Sequence, residues 1–207
     1  MMHQRPLGAG VADPVHDAQA AFREALGALS RPGRRVTLGA PVPDCPLSAA
    51  MAHLLLMLTD DDTAVWWQQS DAATAEWLRF HTGATLADTP DAAAFAVVTN
   101  PGAMPTLDAF AWGSAESPEM SATLLVEVQS FGGGLATEWR GPGIQGMQQV
   151  RIDGLPADFW LQWQTIHAAF PQGIDVIFTC ANEAMGLPRT AGVGRAQDSL
   201  RESAPCM

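Results

Sequence analysis

The sequence contains no lysine; all 11 of its basic side chains are arginine. That absence excludes Schiff-base chemistry, including a pyridoxal phosphate internal aldimine. It also excludes a Walker A lysine. Each arginine keeps the planar fork that suits carboxylate or phosphate. Cysteine is scarce. Cys45, Cys180 and Cys206 are odd in number and lack paired spacing, so the expectation is a reducing compartment without a disulfide framework. Long apolar runs are missing too. Even the leucine-rich run Leu54 to Leu58 is far too short to span a bilayer. The opening MMHQRPLGAGVADP has no apolar core of signal-peptide length. These features read as a soluble, cytoplasmic protein. Positive charge is in deficit, with a net charge of −11 and a pI near 4.6. An acidic surface repels phosphate backbones, so no nucleic-acid partner is expected, and no polybasic segment suits a membrane surface.

Metal and hydrolase motifs are absent as well. His3, His16, His53, His81 and His167 are scattered, with no HxH, HExxH or paired CxxC spacing. The triplet Asp60-Asp61-Asp62 reads as a solvated turn before a hard-cation site. No GxSxG elbow is present. Neither a metal nor an organic cofactor is expected.

What is there suffices for one domain of 207 residues, 47% hydrophobic. Residues 1–14 read as a loose arm, 15–193 as one domain and 194–207 as a polar tail. Helical spacing of Val15, Ala18, Phe22, Leu26 and Leu29 predicts a first helix over 15–30, ended by Pro32-Gly33. Further helices are expected over 47–58, from a Ser70 cap to Phe80, over 105–113, and over 156–170 with Phe159, Trp160, Trp163, Ile166 and Phe170 inward. Strands are expected over 34–38, 63–68, 93–99, 122–131, 135–141 and 174–179, with 185–188 pairing back across CANEA. Leu124, Val126 and Val128 against Thr123, Glu127 and Gln129 suggest a one-sided strand. FGGG at 131–134 reads as a flexible hairpin loop. Helices and strands alternate early and hairpin-like pairs follow late. The expected class is α/β, with a mixed sheet flanked by helices.

Three stretches could carry chemistry. HAAFPQGIDVIFTC, 167–180, holds the residue types of a cysteine-nucleophile hydrolase. Strand geometry places Asp175 and Cys180 on opposite faces and about 16 Å apart, so they form no compact dyad. Cys180 reads more simply as a small buried hydrophobe. Asp175 enters an apolar strand and needs a cation, for which Arg189 is nearest in sequence. In WLRFHTGA, 77–84, Arg79 and His81 close a helix. They read as a C-terminal cap with a packed histidine, or as an anion contact with an acid–base group. RGPGIQG, 140–146, offers Gly141 and Gly143 in a loop that could approach an anion but lacks the GxGxxG and P-loop endings. An independent enzyme using Cys180 or His81 stays open, as does a homodimeric binder of phosphorylated ligands using Arg79 or Arg189.

Read together, DAQAAFREALGALSRPG (17–33), LLLMLTDDDTAVW (54–66), WLRFHTGA (77–84), RGPGI (140–144), FPQGIDVIFTC (170–180) and LPRT (187–190) resemble, in order and spacing, the H subunit of the bacterial carbon–phosphorus lyase core complex. The resemblance spans roughly residues 14–193. It implies a role in phosphonate use, inside a particle with the G, I and J subunits, and a homodimer when isolated. Such complexes replace the adenine of ATP by a phosphonate on the ribose, giving a ribose 1-phosphonate 5-triphosphate. A radical step on the J subunit later cleaves the C–P bond. The implied fold is three-layered α/β, similar to pyridoxal-phosphate-dependent transferases but without the cofactor. The H subunit is implied to be accessory, with no catalytic residue of its own. Arg79, His81, Asp175 and Arg189 then fall to structure or subunit contact.

Overall fold

The computed structural model describes residues 14–196 except 44 and 46. The expected arm up to residue 13 and Cys206 lie outside the described residues, as does the expected tail beyond Ala196. Four helices run over Pro14–Ser30 (α1), Ala49–Leu58 (α2), Ala72–Thr82 (α3) and Phe159–His167 (α4). Seven strands form the main sheet: Arg35–Thr37 (β1), Ala64–Trp67 (β2), Thr85–Leu86 (β3), Phe95–Val98 (β4), Thr123–Glu127 (β5), Asp175–Cys180 (β8) and Glu183–Leu187 (β9). Ala136–Arg140 (β6), Gln148–Arg151 (β7) and Gly192–Arg195 (β10) form a second sheet. The main order is β1-β9-β8-β5-β4-β2-β3. Pairs from β8 through to β3 are parallel, and β9 and β1 add antiparallel. This is the mixed α/β sheet that the alternation of elements predicts.

Two cores sandwich that sheet. Val65, Val97, Leu125, Ile177 and Ala184 point to the layer of α1, α2 and α3. Ala96, Val98, Leu124, Val126, Val176, Phe178 and Met185 point to the layer of α4 and the small sheet. β5 is therefore buried on both sides, because Leu125 packs into the opposite core from Leu124 and Val126. The expected one-sided strand is corrected. A parallel strand inside a covered sheet reads as a near-continuous apolar run.

α1 differs from its expected face. Ala21, Ala25 and Ala28 are buried, whereas Val15 (63%), Phe22 (46%) and Leu26 (51%) face solvent. The cause is close approach to β9: a Cβ added at Gly186 would stand 2.7 Å from the Ala28 carbonyl group. Only a small-residue stripe fits against that backbone, so the large side chains turn outward.

The expected helix over 105–113 reduces to one 3-10 turn, Leu107–Ala109. Pro105 and Gly113 leave too few residues to offset helix nucleation, although Leu107 and Phe110 still reach the core. α3 starts one position later than expected, capped by the Asp71 carboxylate, which accepts the Thr74 N–H at 2.8 Å. α4 stops at His167, and Phe170 is 58% exposed. Pro171 bars its predecessor from helical geometry.

FGGG joins no hairpin. It carries the chain from β5 in the main sheet to β6 in the small one, and Ser130 bridges to Asp153 beside it. The hairpins are β6–β7 and β8–β9. The latter turns through Ala181, whose φ is 54°. Hydrogen bonds to the Ala181 carbonyl from Ala50 (2.9 Å) and to the Asn182 carbonyl from Leu38 (2.8 Å) hold that turn. β3, β7 and β10 carry no strong apolar alternation. Pairing partners, not local pattern, make them strands.

Candidate functional site

Asp175 opens β8 and Arg189 follows β9, so the antiparallel pair brings them together at the amino edge of the sheet. The Arg189 Nη2–H donates to Asp175 Oδ2 in a short ion pair. Arg189 Nε–H and its backbone N–H donate to Asp175 Oδ1 at 3.3 and 2.8 Å. Arg189 Nη1–H donates to the Pro118 carbonyl at 2.7 Å. The side chains are 15% and 22% exposed. His167 joins this corner, its Nδ1–H donating to the Arg189 carbonyl at 3.0 Å. The strand carries Cys180 to the other edge, where its thiol donates to the Gln129 carbonyl at 3.5 Å. The histidine and aspartate of HAAFPQGIDVIFTC thus meet one arginine, and the cysteine stands apart.

Arg79 and His81 occupy the last turn of α3, whose cap Gly83 donates its N–H to the Arg79 carbonyl at 3.0 Å. Arg79 is exposed and forms no ion pair among the described residues. The His81 ring packs 5.0 Å from Trp77 and 5.0 Å from Phe80. Its Nε2 is buried without a partner among the described residues. Burial pushes the His81 pKa down, because desolvation favours the neutral ring. α3 leads into β3, and β3 lies four strands from β8, about 19 Å away. The four motif residues form two separate corners rather than one pocket.

Gly141 and Gly143 lie in the β6–β7 connection. A Cβ at Gly143, where φ is 81°, would stand 2.0 Å from the Ser30 carbonyl oxygen. One at Gly141 would stand 2.8 Å from that of Thr190. These glycines let the loop close on the end of α1 and on the approach to β10.

The carboxyl edge of the parallel strands is where open α/β sheets bind ligands. Here the chain's own side chains fill it. Glu127 ends β5, and its Oε2 accepts from Ser48 Oγ at 2.6 Å and Thr179 Oγ1 at 2.7 Å. Ser48 also caps α2. Between β2 and β4, where the strand order reverses, Gln68 Nε2–H donates to the Asn100 carbonyl and Asn100 N–H donates to Gln68 Oε1, both at 2.9 Å. The Cys180 pKa is raised by burial, then by Glu127 and Glu183. An activated thiol needs the opposite surroundings. Burial also lifts Cys45, to about 11. Sequence reasoning missed Glu127, although TLLVEVQ holds the same signal as Asp175: a carboxylate within an apolar strand. Among the described residues no three His, Cys, Asp or Glu side chains are grouped to hold a metal. No helix there is long and apolar enough to cross a membrane.

The family of the bacterial phosphonate metabolism protein PhnH matches residues 9–194. The alpha-D-ribose 1-methylphosphonate 5-triphosphate synthase subunit PhnH of Rhizobium meliloti (strain 1021) is 40% identical over 187 residues, 89% of this chain and 94% of that protein. HtxG of Stutzerimonas stutzeri, named as a C-P lyase subunit protein, is 33% identical over 177 residues, 84% of this chain and 85% of that protein. The match spans almost all of the described domain, and the chain belongs to the PhnH family of bacterial phosphonate metabolism proteins.

Proposed function

We propose that this chain is an accessory subunit of a phosphonate-processing carbon–phosphorus lyase complex, working in the cytoplasm beside G, I and J subunits. Relatives of matching length carry subunit names of that system. The complex would place a phosphonate on the ribose of ATP in exchange for adenine, and this chain would support assembly, not bond breaking. Two observations support the non-catalytic reading. Asp175 and Arg189 are committed to each other, and the Cys180 thiol is pushed away from its reactive form. Exposed apolar surface supports assembly. Val15, Phe22 and Leu26 line the outer side of α1, and Phe80, 64% exposed, stands beside Arg79. A multi-subunit particle, or a homodimer of the isolated chain, would cover such surfaces.

The test is co-expression of the other core subunits with and without this chain, reading adenine released from ATP in the presence of a phosphonate. Release that requires the chain, together with silence of the chain alone, is the expected result. Release unchanged without it removes the accessory role.

A further inference from the structure

A groove opens between α4 and the segment that follows β4. Residues 102–112 form one wall and residues 156–166 the other. Gln162 ties the walls together. Its Oε1 accepts the Leu107 N–H at 2.7 Å, and its Nε2–H donates to Asp158 Oδ2 at 2.8 Å. Two small cavities of about 180 and 220 Å³ adjoin along the groove. Both border Leu107, Asp158 and Gln162, and they follow one another along α4 at an offset of about one turn, roughly 5 Å. Each falls below the roughly 300–1,000 Å³ of a pocket for a whole small molecule. Their succession suits the side chains of one extended segment, whose alternate residues project to the same side about 7 Å apart.

The walls fix which side chains fit. Leu107 and Ile166 are buried at the floor. Trp112 lines the wider cavity, its indole Nε1–H donating to the Leu107 carbonyl at 3.1 Å. That surface suits an apolar side chain. Asp108 and Asp158 border the same cavity and are exposed. Neither forms an ion pair among the described residues. The walls themselves supply no cation, because residues 82–139 and 152–166 contain no arginine, histidine or lysine. In a chain of net charge −11, acids by themselves mark nothing. Here they rim an apolar groove, and two carboxylates beside an aromatic ring attract a guanidinium or an ammonium.

We propose that this groove receives an extended segment of a partner protein in which a large apolar residue alternates with an arginine or lysine. The inference rests on the subunit reading for the partner's presence, and the groove is tested apart from it. Proton–nitrogen NMR spectra of the purified full chain are recorded with N-acetyl-Leu-Ala-Arg amide, with N-acetyl-Leu-Ala-Glu amide and with butylguanidine. The arginine peptide is expected to shift the indole signal of Trp112, assigned with Trp112→Phe, and the carboxamide signals of Gln162. The glutamate peptide should bind at least tenfold more weakly. Asp108→Asn should weaken binding of the arginine peptide about threefold, the range of a partly exposed ion pair. Asp108→Asn combined with Asp158→Asn should weaken it about tenfold. Asp91→Asn, which removes equal charge outside the groove, should leave it unchanged. Asp158 also accepts from Gln162, so Asp108→Asn decides alone if the double variant is misfolded. No shift with the arginine peptide overturns the proposal. So does equal binding of the glutamate peptide or of butylguanidine, or an equal loss in Asp91→Asn. Groove signals that move with protein concentration would make a second copy the occupant. Groove signals that move when Arg5 or Arg201 is replaced would make the occupant a segment of this chain. Either result overturns the partner segment. If the peptide fails while adenine release still requires the chain, this inference falls and the subunit reading stands. If the peptide binds while release does not require the chain, the subunit reading falls and the groove stands.

Discussion

Arg189 and Arg151 each donate to a backbone carbonyl, Pro118 at 2.7 Å and Gly134 at 3.0 Å, but of these two Arg189 alone pairs with a carboxylate among the described residues. At the amino edge of the main sheet Asp175 absorbs its fork on two sides and the pair is largely buried. At the end of the small sheet Arg151 stands opposite Ala136, is exposed, and forms no ion pair among the described residues. The same side chain is thus a largely buried cross-link in one region and an exposed surface contact in the other. Sequence motifs drew attention to the first region, where the guanidinium already holds a carboxylate.

The comparison breaks most visibly at Asp175. Asp175→Asn leaves a largely buried guanidinium without its counter-charge, and the expected loss is about 3 kcal/mol in chemical denaturation. A loss within about 0.5 kcal/mol would place the pair among surface contacts instead. Glu127 comes next. Its partners are two neutral hydroxyls, so Glu127→Gln should cost only about 1 kcal/mol in the same assay. Arg151→Ala and Arg195→Ala touch no buried carboxylate among the described residues and should alter stability by no more than about 0.5 kcal/mol. Equal destabilisation at Arg151 and Arg189 would erase the contrast.

The smallest effect concerns His81. Its folded pKa lies below the ordinary value of 6.5 because the ring is desolvated. The unfolded chain therefore takes up a proton that the folded chain resists, so stability should fall as pH drops below that ordinary value toward the lowered one. Urea melts above and below 6.5 should show this slope in wild type and a shallower one in His81→Gln. Equal slopes would mean that the ring is hydrated in the folded chain.

Much of the main sheet was legible because its parallel strands are apolar runs between turn signals: AAFAVVT, ATLLVEV and GIDVIFT each became a buried strand. The Asp175–Arg189 partnership was legible for the same reason, since a carboxylate in such a run must be answered. α1 was legible as a helix but not in its orientation. Helical spacing cannot say which of two stripes meets β9 when Gly186 admits only alanine. The small sheet was mostly hidden. QQVR and GVGR acquire strand geometry only by pairing with β6. Glu127 was legible in principle and was overlooked as an outward residue of a one-sided strand.

The central claim is that this chain supports a phosphonate-processing assembly without supplying a reacting group. The most direct measurement is adenine release by a complex assembled with the chain carrying Cys180→Ser and His81→Ala together. Assembly is checked by size-exclusion chromatography. Release at the wild-type rate is the predicted result. Release abolished in a particle of unchanged composition would contradict the account and place one of those two side chains in the chemistry.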